Sequence, residues 1–297
     1  KIIMKKKIVV FGGAGFLGSH VADFLTKDKY QVTIFDKNKS NYISAKQIFI
    51  QGDTQDLTIV NNVLKNTDFV YNFSGEADIE RSKKFPINTL QSNIIGTANI
   101  LESCIKNKIK KYLHASTIYV NSEQGGFYRS SKQSAELIIE NYNEFHNLNY
   151  VIMRFGSLYG PRANKFNFIT RAVYEAVENR TINRTGNGEE IREYIHIYDA
   201  ADLCCKLIQK SYKNTLVNIT GSGSSLKVKN VLSLIKEIVG KDVKIKFNKK
   251  NMLKDHYKIT PYSYKTRIAK KIQSDGYIEL GEGILDLVNQ KIKGKII

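Results

Sequence analysis

The chain has 297 residues, of which 42% are hydrophobic, and this is enough to fill a substantial core and to exclude a disordered protein. Its formal net charge is +18, but the lysines are spread along the whole chain and form no basic tail. No helix-turn-helix, zinc-finger or RNA-recognition signature accompanies this charge, so we expect no binding of nucleic acid. A basic surface favours anionic partners, and a small molecule that carries a diphosphate would suit it.

The three cysteines, Cys104, Cys204 and Cys205, lie in apolar, helix-like contexts. Their number and spacing suit neither a disulfide framework nor a metal site, so we expect reduced, buried thiols and no metal ion. The apolar run at residues 8–11 ends at two glycines and is too short for a signal peptide or a membrane span. We therefore expect a cytoplasmic protein that does not contact a membrane.

Short β-branched runs alternate with helical patterns through the first half of the chain, which is typical of βαβ units and predicts an α/β fold with a parallel sheet. One further helix is expected between the second and third strands. After Gly160-Pro161 the alternation weakens, and we expect a smaller lobe that returns one element to the sheet. The predicted strands are 8–11, 32–35, 69–73, 112–115, 151–155 and 194–197, and the predicted helices are 17–25, 92–106, 129–145, 168–178, 228–239 and 284–292.

A glycine-rich segment, Gly12-Gly13-Ala14-Gly15-Phe16-Leu17-Gly18, follows the first strand and opens the first helix. Glycine permits a tight turn there and lets backbone N–H groups approach a pyrophosphate, whose charge the helix N-terminus favours. The second strand ends at Asp36, where a carboxylate accepts hydrogen bonds from a ribose 2′-hydroxyl and repels a 2′-phosphate. We therefore predict NAD rather than NADP as the cofactor, although Lys37 is a basic neighbour that would favour NADP.

The spacing Tyr-x-x-x-Lys occurs twice, at Tyr42 with Lys46 and at Tyr128 with Lys132. The second pair opens a helix shortly after the strand that leads to Thr117, and ligands bind at the carboxyl ends of strands in open α/β sheets. Residues four apart share one face of a helix, so Lys132 can stabilise the phenolate of Tyr128. We predict that Tyr128 transfers the proton and that Thr117 hydrogen-bonds the reacting hydroxyl. Bringing a tyrosine pKa near neutrality requires roughly 4 kcal/mol, which an ammonium and the nicotinamide ring together can supply.

These motifs, in this order, resemble the extended short-chain dehydrogenase/reductase family. Residues 154–162 and 192–196 are similar to its nucleotide-sugar epimerase and dehydratase branch, and Gly156-Ser157-Leu158-Tyr159 is also similar to bacterial nucleotide-heptose 4-dehydrogenases. The motifs that carry the resemblance are Gly12-x-x-Gly15-x-x-Gly18, Asp36, Asp53, Asn93-x-x-Gly96-Thr97, Thr117 and Tyr128-x-x-x-Lys132.

The resemblance implies a Rossmann-type doubly wound parallel sheet, with residues 1–157 and about 194–221 binding NAD. It implies a smaller substrate-binding lobe, from about 158–193 and 222–297, that binds a nucleoside-diphosphate sugar. Asp53 would contact the adenine, and Asn93 would support the proton relay. The implied cofactor contacts are Gly12, Gly15, Phe16, Leu17, Gly18, Asp36, Lys37, Asp53, Thr54, Phe73, Ser74, Asn93, Tyr128 and Lys132, and the implied substrate contacts are Thr117, Ser157, Arg162 and Arg192.

One departure from the family bears on the reaction. The 4,6-dehydratases carry an Asp-Glu pair directly after the active-site threonine, whereas Ile118 and Tyr119 stand here, so dehydration is disfavoured. We expect hydride removal at C4 to give a 4-keto sugar, with either an epimerase or a dehydrogenase outcome, in the synthesis of surface-polysaccharide sugars. The alternatives are a 4-keto sugar reductase, a 4,6-dehydratase and a non-catalytic dinucleotide sensor. Retention of Tyr128, Lys132 and Thr117 argues against the sensor.

Two apolar helix faces bear on assembly. They are formed by Ile94, Ile95 and Ile100 and by Leu137, Ile138 and Ile139. In related enzymes the corresponding helices pair across a dimer axis, whereas the alternative is that both faces pack on the sheet. We expect a homodimer or a higher homo-oligomer.

Overall fold

The computed structural model describes residues 5–221, 225–248 and 258–261, together with Leu285. The predicted helix at 284–292 therefore lies outside the described residues except for Leu285. The chain divides into one unit of Lys1–Tyr264 and another of Lys265–Ile297, and every feature below belongs to the first.

Seven parallel strands form the central sheet, in the order β11-β6-β5-β4-β1-β2-β3. In the first strand, Ile8 and Val10 join one apolar cluster while Val9 and Phe11 join another, so the strand is buried on both faces. The predicted α/β fold with a parallel sheet is confirmed. The strands of this sheet are β1 (Lys7–Phe11), β2 (Gln31–Asp36), β3 (Ile48–Gln51), β4 (Phe69–Asn72), β5 (Lys111–Thr117), β6 (Tyr150–Phe155) and β11 (Thr215–Ile219).

Helices cover both faces of the sheet. One cluster joins the sheet to α1 (Phe16–Lys27) and α8 (Ile197–Lys206), and a second joins it to α2 (Leu57–Val63), α5 (Gly96–Lys106) and α6 (Gly126–His146). Two short helices, α3 (Ile79–Lys84) and α4 (Pro86–Leu90), precede a π-helical turn at Gln91–Ile95. No helix in these described stretches combines the length and the apolar character that crossing a bilayer requires.

The remaining elements form a smaller group with its own apolar cluster, centred on Ala172, Ala176, Val228 and Leu232. Its strands pair as β7 with β10, β9 with β12 and β8 with β13. Its elements are β7 (Ser157–Tyr159), α7 (Phe168–Asn179), β8 (Thr181–Thr185), β9 (Ile191–Arg192), β10 (Tyr194–His196), β12 (Leu226–Lys227), α9 (Val228–Val239) and β13 (Lys244–Asn248).

The chain leaves the sheet after β6 and returns to it through β11. These two strands are neighbours, and the Gly156 amide donates a hydrogen bond to the Ile219 carbonyl oxygen at 3.0 Å. Because the two strands are parallel, the excursion leaves the sheet at the carboxyl end of β6 and re-enters it at Thr215, the amino end of β11. Gly156 and Ile219 lie side by side at the carboxyl edge, where both strands end. The division into an NAD-binding domain and a substrate-binding lobe is a functional one and stays a prediction.

Three local features differ from the prediction. The strand β3 lies at the sheet edge and is only partly buried, and it was not predicted although Ile48, Phe49 and Ile50 form a short apolar run. The strand β5 extends to Thr117, and α6 begins at Gly126, which brings Tyr128 into the first helical turn. The predicted helix at 92–106 begins within the π-helical turn.

Candidate active site

The glycine turn between β1 and α1 packs against the end of β4. Gly12 has a φ of 70°, and a Cβ atom there would lie 2.6 Å from the backbone of Phe73 and Ser74. A Cβ at Gly18 would collide with the Gly12 carbonyl oxygen. Gly15 is the N-cap of α1 and has no side chain to cap it, so the first backbone N–H groups face the turn. The turn is therefore a cradle that suits a pyrophosphate.

Asp36 lies directly beside this turn. Its Oδ2 accepts a hydrogen bond from the Ala14 amide at 3.1 Å, and its Oδ1 accepts one from the Asn38 amide at 3.1 Å. The ammonium of Lys37 lies 2.9 Å from the Asp53 carboxylate, so the basic neighbour of Asp36 is already paired with an acid. A negative carboxylate with no unpaired lysine directly after it suits a free 2′-hydroxyl better than a 2′-phosphate.

A cavity of about 370 Å³ follows the carboxyl edge of the sheet. Most residues of its wall were not predicted from the sequence because no motif marks them, and among these are Glu76, Arg81, Phe85 and Asn88. Glu76 and Arg81 form an ion pair of 2.7 Å. The predicted cofactor residues in the wall are Gly12, Gly15, Asp36, Lys37, Thr54, Phe73 and Ser74.

The predicted catalytic residues meet where β5 ends and α6 begins. Thr117 is the last residue of β5 and is buried, and its Oγ1 accepts a hydrogen bond from the Tyr119 amide at 3.3 Å. The Tyr119 ring stands edge-on to that of Tyr128, with 6.2 Å between centroids. Lys132 lies one turn further along α6, and its Nζ donates to the Ala115 carbonyl oxygen at 2.9 Å. The second Tyr-x-x-x-Lys pair therefore lies beside the strand that ends in Thr117.

Burial shapes the electrostatics of this region. It lowers the pKa of Lys132 to about 8, while the negative charge of Glu136 acts in the opposite direction. Burial, with a smaller contribution from Lys132, holds the pKa of His114 well below its ordinary value. His114 is therefore neutral, and its Nδ1 shares a hydrogen bond of 2.9 Å with the Tyr112 hydroxyl. His114 is thus a packed, hydrogen-bonded residue.

Asn93 lies in the π-helical turn, and its side chain is almost fully buried. Its Oδ1 accepts from the Glu76 amide at 2.7 Å, and its Nδ2 donates to the Glu76 carbonyl at 3.0 Å. The same Nδ2 donates to the Ser131 hydroxyl on α6 at 2.9 Å. Asn93 thus joins the loop after β4 to the helix that carries Tyr128. Its role in a proton relay stays a prediction. A π-helical turn inside a helix is frequently found at functional sites.

The other predicted substrate residues, Ser157, Arg162 and Arg192, lie in separate segments of the structure. Ser157 is partly buried in β7, and Arg192 is buried in β9 opposite Leu226. Arg162 forms an ion pair of 2.8 Å with Asp23 on α1, and its guanidinium lies over the Tyr42 ring, 4.7 Å from its centroid. Their contacts with a substrate stay predictions.

The cysteines and the histidine of β10 have structural roles, which for the cysteines agrees with the prediction. All three cysteines are free and buried. His196 caps α8, where its Nδ1 accepts a hydrogen bond from the Tyr198 amide at 3.3 Å.

Comparison with known proteins identifies the family of the chain. A model of the NAD dependent epimerase/dehydratase family matches residues 8–220, a range that contains the glycine turn, Asp36 and the Tyr128–Lys132 pair. The chain belongs to this family. The predicted family and its cofactor, NAD, are thereby confirmed, and this member of the family is an NAD-dependent enzyme of the short-chain dehydrogenase type.

Individual relatives are similar over most of their length. A putative UDP-glucose 4-epimerase from Methanocaldococcus jannaschii is 29% identical over 255 residues, which cover 78% of this chain and 82% of the relative. A low-salt glycan biosynthesis protein from Haloferax volcanii is 27% identical over 256 residues, which cover 78% of this chain and 82% of the relative. The crystal structure of UDP-glucose 4-epimerase from Thermotoga maritima with UDP-glucose superposes with a TM-score of 0.79 at 24% identity, covering 87% of this chain and 90% of that one. The last comparison shows a shared fold.

Proposed function

We propose that this enzyme removes hydride from C4 of a nucleoside-diphosphate sugar and forms a 4-keto sugar, as a 4-epimerase or a 4-dehydrogenase. The observation that carries the proposal is the arrangement of Tyr128 and Lys132, one helical turn apart beside the strand that ends in Thr117. The names of the relatives support a nucleotide sugar, and the glycan biosynthesis protein among them supports a role in surface-polysaccharide synthesis.

The residues of the cradle suit NAD. The turn at Gly12, Gly15 and Gly18 would hold the pyrophosphate, and Asp36 would accept hydrogen bonds from the adenosine ribose. Asp53 and Thr54 would lie at the adenine end, and the remaining cofactor contacts would come from Phe16, Leu17, Lys37, Phe73, Ser74, Asn93, Tyr128 and Lys132. When bound, NAD supplies the hydride acceptor.

In this proposal Tyr128 takes the proton of the C4 hydroxyl, and Thr117 holds that hydroxyl by a hydrogen bond. Lys132 has a pKa lowered to about 8, so it is mostly an ammonium at neutral pH and stabilises the phenolate of Tyr128. Arg192 would bind the substrate diphosphate, because a guanidinium offers paired donors to phosphate oxygens. Ser157 and Arg162 are proposed as further substrate contacts.

Dehydration is disfavoured for this chain. The Ile118 side chain is buried and apolar, and the next residue, Tyr119, offers a phenol rather than a carboxylate. Neither residue supplies the acid and base that expulsion of a C6 hydroxyl needs. A 4-keto sugar reductase would use Tyr128 and Lys132 in the reverse direction, so it remains the nearest alternative.

Tyr128→Phe tests the proposal, because it removes the phenolic oxygen and keeps the ring. We expect the variant to bind NAD with wild-type affinity and to lose turnover of every nucleotide sugar that the parent protein converts. Undiminished turnover would refute the role of Tyr128. With the active protein, accumulating NADH would identify a dehydrogenase, whereas a sugar isomer formed without NADH would identify an epimerase.

We also propose a cytoplasmic homodimer. The free, buried cysteines support a reducing compartment. Ile95 and Leu137 are 52% and 62% exposed, while Ile100 and Ile139 of the same helices pack in the core, so each helix leaves one apolar side uncovered. Leu137→Glu should convert a dimer to a monomer in light scattering.

The matched control for this experiment is Leu234→Glu, at an equally exposed leucine of α9, and it should stay dimeric. A wild-type protein that is monomeric at every concentration would overturn the proposed dimer.

A further inference from the structure

A buried carboxylate, Glu136, lies on α6 one helical turn after Lys132. Arg154 of β6 donates to both of its oxygens, from Nε to Oε1 at 3.0 Å and from Nη2 to Oε2 at 2.6 Å. Ser116 of β5 donates its hydroxyl to Oε1 as well. One carboxylate thus accepts three hydrogen bonds from two neighbouring strands.

The strand register explains how these groups meet. Ser116 and Arg154 are register partners on β5 and β6, so their side chains point to the same face of the sheet. The helix α6 covers that face and presents Glu136 to both of them. Lys132 binds the carbonyl oxygen of Ala115, so two successive turns of α6 hold two successive residues of β5. Thr117 follows Ser116 directly on β5.

A contribution to the stability of the fold is a weak explanation for the buried ion pair of Glu136 and Arg154. Taking two charges out of water costs about as much as their attraction returns, and well-packed apolar residues often replace such pairs without loss. The charge balance around Lys132 offers a stronger reason. Glu136 pairs with Arg154 and lies one helical turn after Lys132, and its negative charge raises the pKa of Lys132 against the effect of burial.

We propose that Glu136 is a positioning residue that keeps Lys132 in its ammonium form and, through Ser116, holds Thr117 against α6. The inference rests on the proposed function of Tyr128 and Lys132. The titratable groups that face Lys132 are Tyr128 and Glu136 on its own helix and His114 on β5, and His114 is neutral. Glu136 is therefore the carboxylate that offsets the burial of the Lys132 ammonium.

Two substitutions that remove charges of opposite sign test the effect of Glu136 on Lys132. Glu136→Gln keeps the shape of the side chain and leaves the Arg154 guanidinium unpaired, so the pKa of Lys132 should fall by about one unit. Arg154→Met leaves the carboxylate without its guanidinium, so the same pKa should rise. Glu140→Gln, one turn further along α6, is the matched control and should leave it unchanged.

The direct measurement is the pKa of Lys132 in the NAD-saturated protein. It is read from NMR titration of lysines labelled with ¹³C at the ε position, and Lys132→Met assigns the signal. Shifts of opposite sign in Glu136→Gln and Arg154→Met support the inference. An unchanged pKa, or shifts of the same sign, in variants that still fold and bind NAD would overturn it.

Turnover gives a second and separate readout. In Glu136→Gln the loss of activity on the alkaline side should move to lower pH by about one unit, because the ammonium is lost earlier. The double variant Glu136→Gln/Arg154→Met removes both charges, so the alkaline limb of its pH–activity profile should return to the pH of the parent protein. If Glu136 had a merely structural role, Glu136→Gln would lower turnover without shifting the alkaline limb of the pH–activity profile. The double variant would then turn over more slowly than either single variant. A protein that converts no nucleotide sugar would refute the proposed function, whereas the NMR titration decides this inference alone.

Discussion

The ammonium of Lys132 donates a hydrogen bond to the carbonyl oxygen of Ala115, 2.9 Å away, in a position where the lysine is only 6% exposed. A buried ammonium is a cost to the folded state, because water no longer solvates its charge. The enzyme carries this cost because the proposed chemistry needs the charge beside Tyr128. Stability and catalysis should therefore respond to this residue in opposite directions.

Lys132→Met should abolish turnover and stabilise the fold at neutral pH. The pKa of Lys132 falls from its ordinary 10.5 to about 8 on folding, which corresponds to roughly 3 kcal/mol of destabilisation below pH 8. The unfolded chain binds more protons than the folded one between these values, so the destabilisation is relieved as the pH rises from 8 to 10.5. Loss of the hydrogen bond from Lys132 to the Ala115 carbonyl oxygen destabilises the variant by about 1 kcal/mol and offsets part of this gain.

Urea denaturation at pH 7 and at pH 10 measures this effect. The variant should exceed the parent protein in free energy of unfolding at pH 7, by about 1 to 3 kcal/mol. The difference should shrink at pH 10. A variant that is less stable than the parent at pH 7 would contradict the assigned cost of burial.

Asp36→Asn should weaken the preference for NAD over NADP. The amide keeps an oxygen that can accept from the Ala14 N–H group but removes the negative charge that repels a 2′-phosphate. We expect the ratio of NADP to NAD dissociation constants to fall about tenfold in calorimetric titrations. Asp56→Asn, which removes one negative charge at the N-cap of α2 and keeps a capping oxygen, is the control and should leave that ratio unchanged. An unchanged preference in Asp36→Asn would assign cofactor choice to other residues.

Tyr119→Ala should slow catalysis, because it removes the ring that stands against Tyr128 at 6.2 Å. Loss of this contact leaves the phenol of Tyr128 less well oriented, and we expect the kcat to fall about tenfold with little change in NAD affinity. Tyr119→Phe keeps the ring and should lose much less activity. Equal losses in the two variants would show that the hydroxyl of Tyr119, and not its ring, matters for turnover.

Lys111→Met should destabilise the fold at a place remote from the proposed chemistry. Lys111 is 5% exposed at the start of β5, and its Nζ donates to the carbonyl oxygens of Gln209 at 2.5 Å and Tyr212 at 2.6 Å, just after α8. Removing the ammonium takes the donor from these partly buried acceptors, at a cost of about 1 to 3 kcal/mol. Lys110→Met breaks an exposed ion pair with Asp68 and should cost less than about 1 kcal/mol. Similar losses in the two variants, measured by urea denaturation, would contradict the proposed difference.

Much of the fold and of the cofactor site could be predicted from the sequence, because both depend on local patterns. The run from Ile8 to Phe11, the glycines after it and Asp36 at the end of the next strand are close in the chain and carry their own signal. The helix at Val228–Val239 was predicted to the residue, since its apolar face has a regular helical spacing.

The features that were missed depend on contacts between distant segments. Glu136 and Arg154 are 18 residues apart and belong to a helix and a strand, so only the register of β5 with β6 brings them together. The spacing of Glu136 from Lys132 was visible, but nothing in the sequence identified its partner. The edge strand β3 was also missed, because its apolar run of Ile48, Phe49 and Ile50 is short and only its pairing with β2 makes it a strand of the sheet.

The pairing of β6 with β11 across the excursion has an evolutionary consequence. Because these strands pair in parallel from Val151 with Thr215 to Phe155 with Ile219, residues added to or deleted from the loops around 160–190 would leave this register unchanged. The parallel sheet would then keep its hydrogen-bonding pattern while the excursion changed length and shape. Under the proposed division of roles, preference for a different sugar would then arise within the inserted segment without disturbing the part of the molecule that is proposed to bind the dinucleotide.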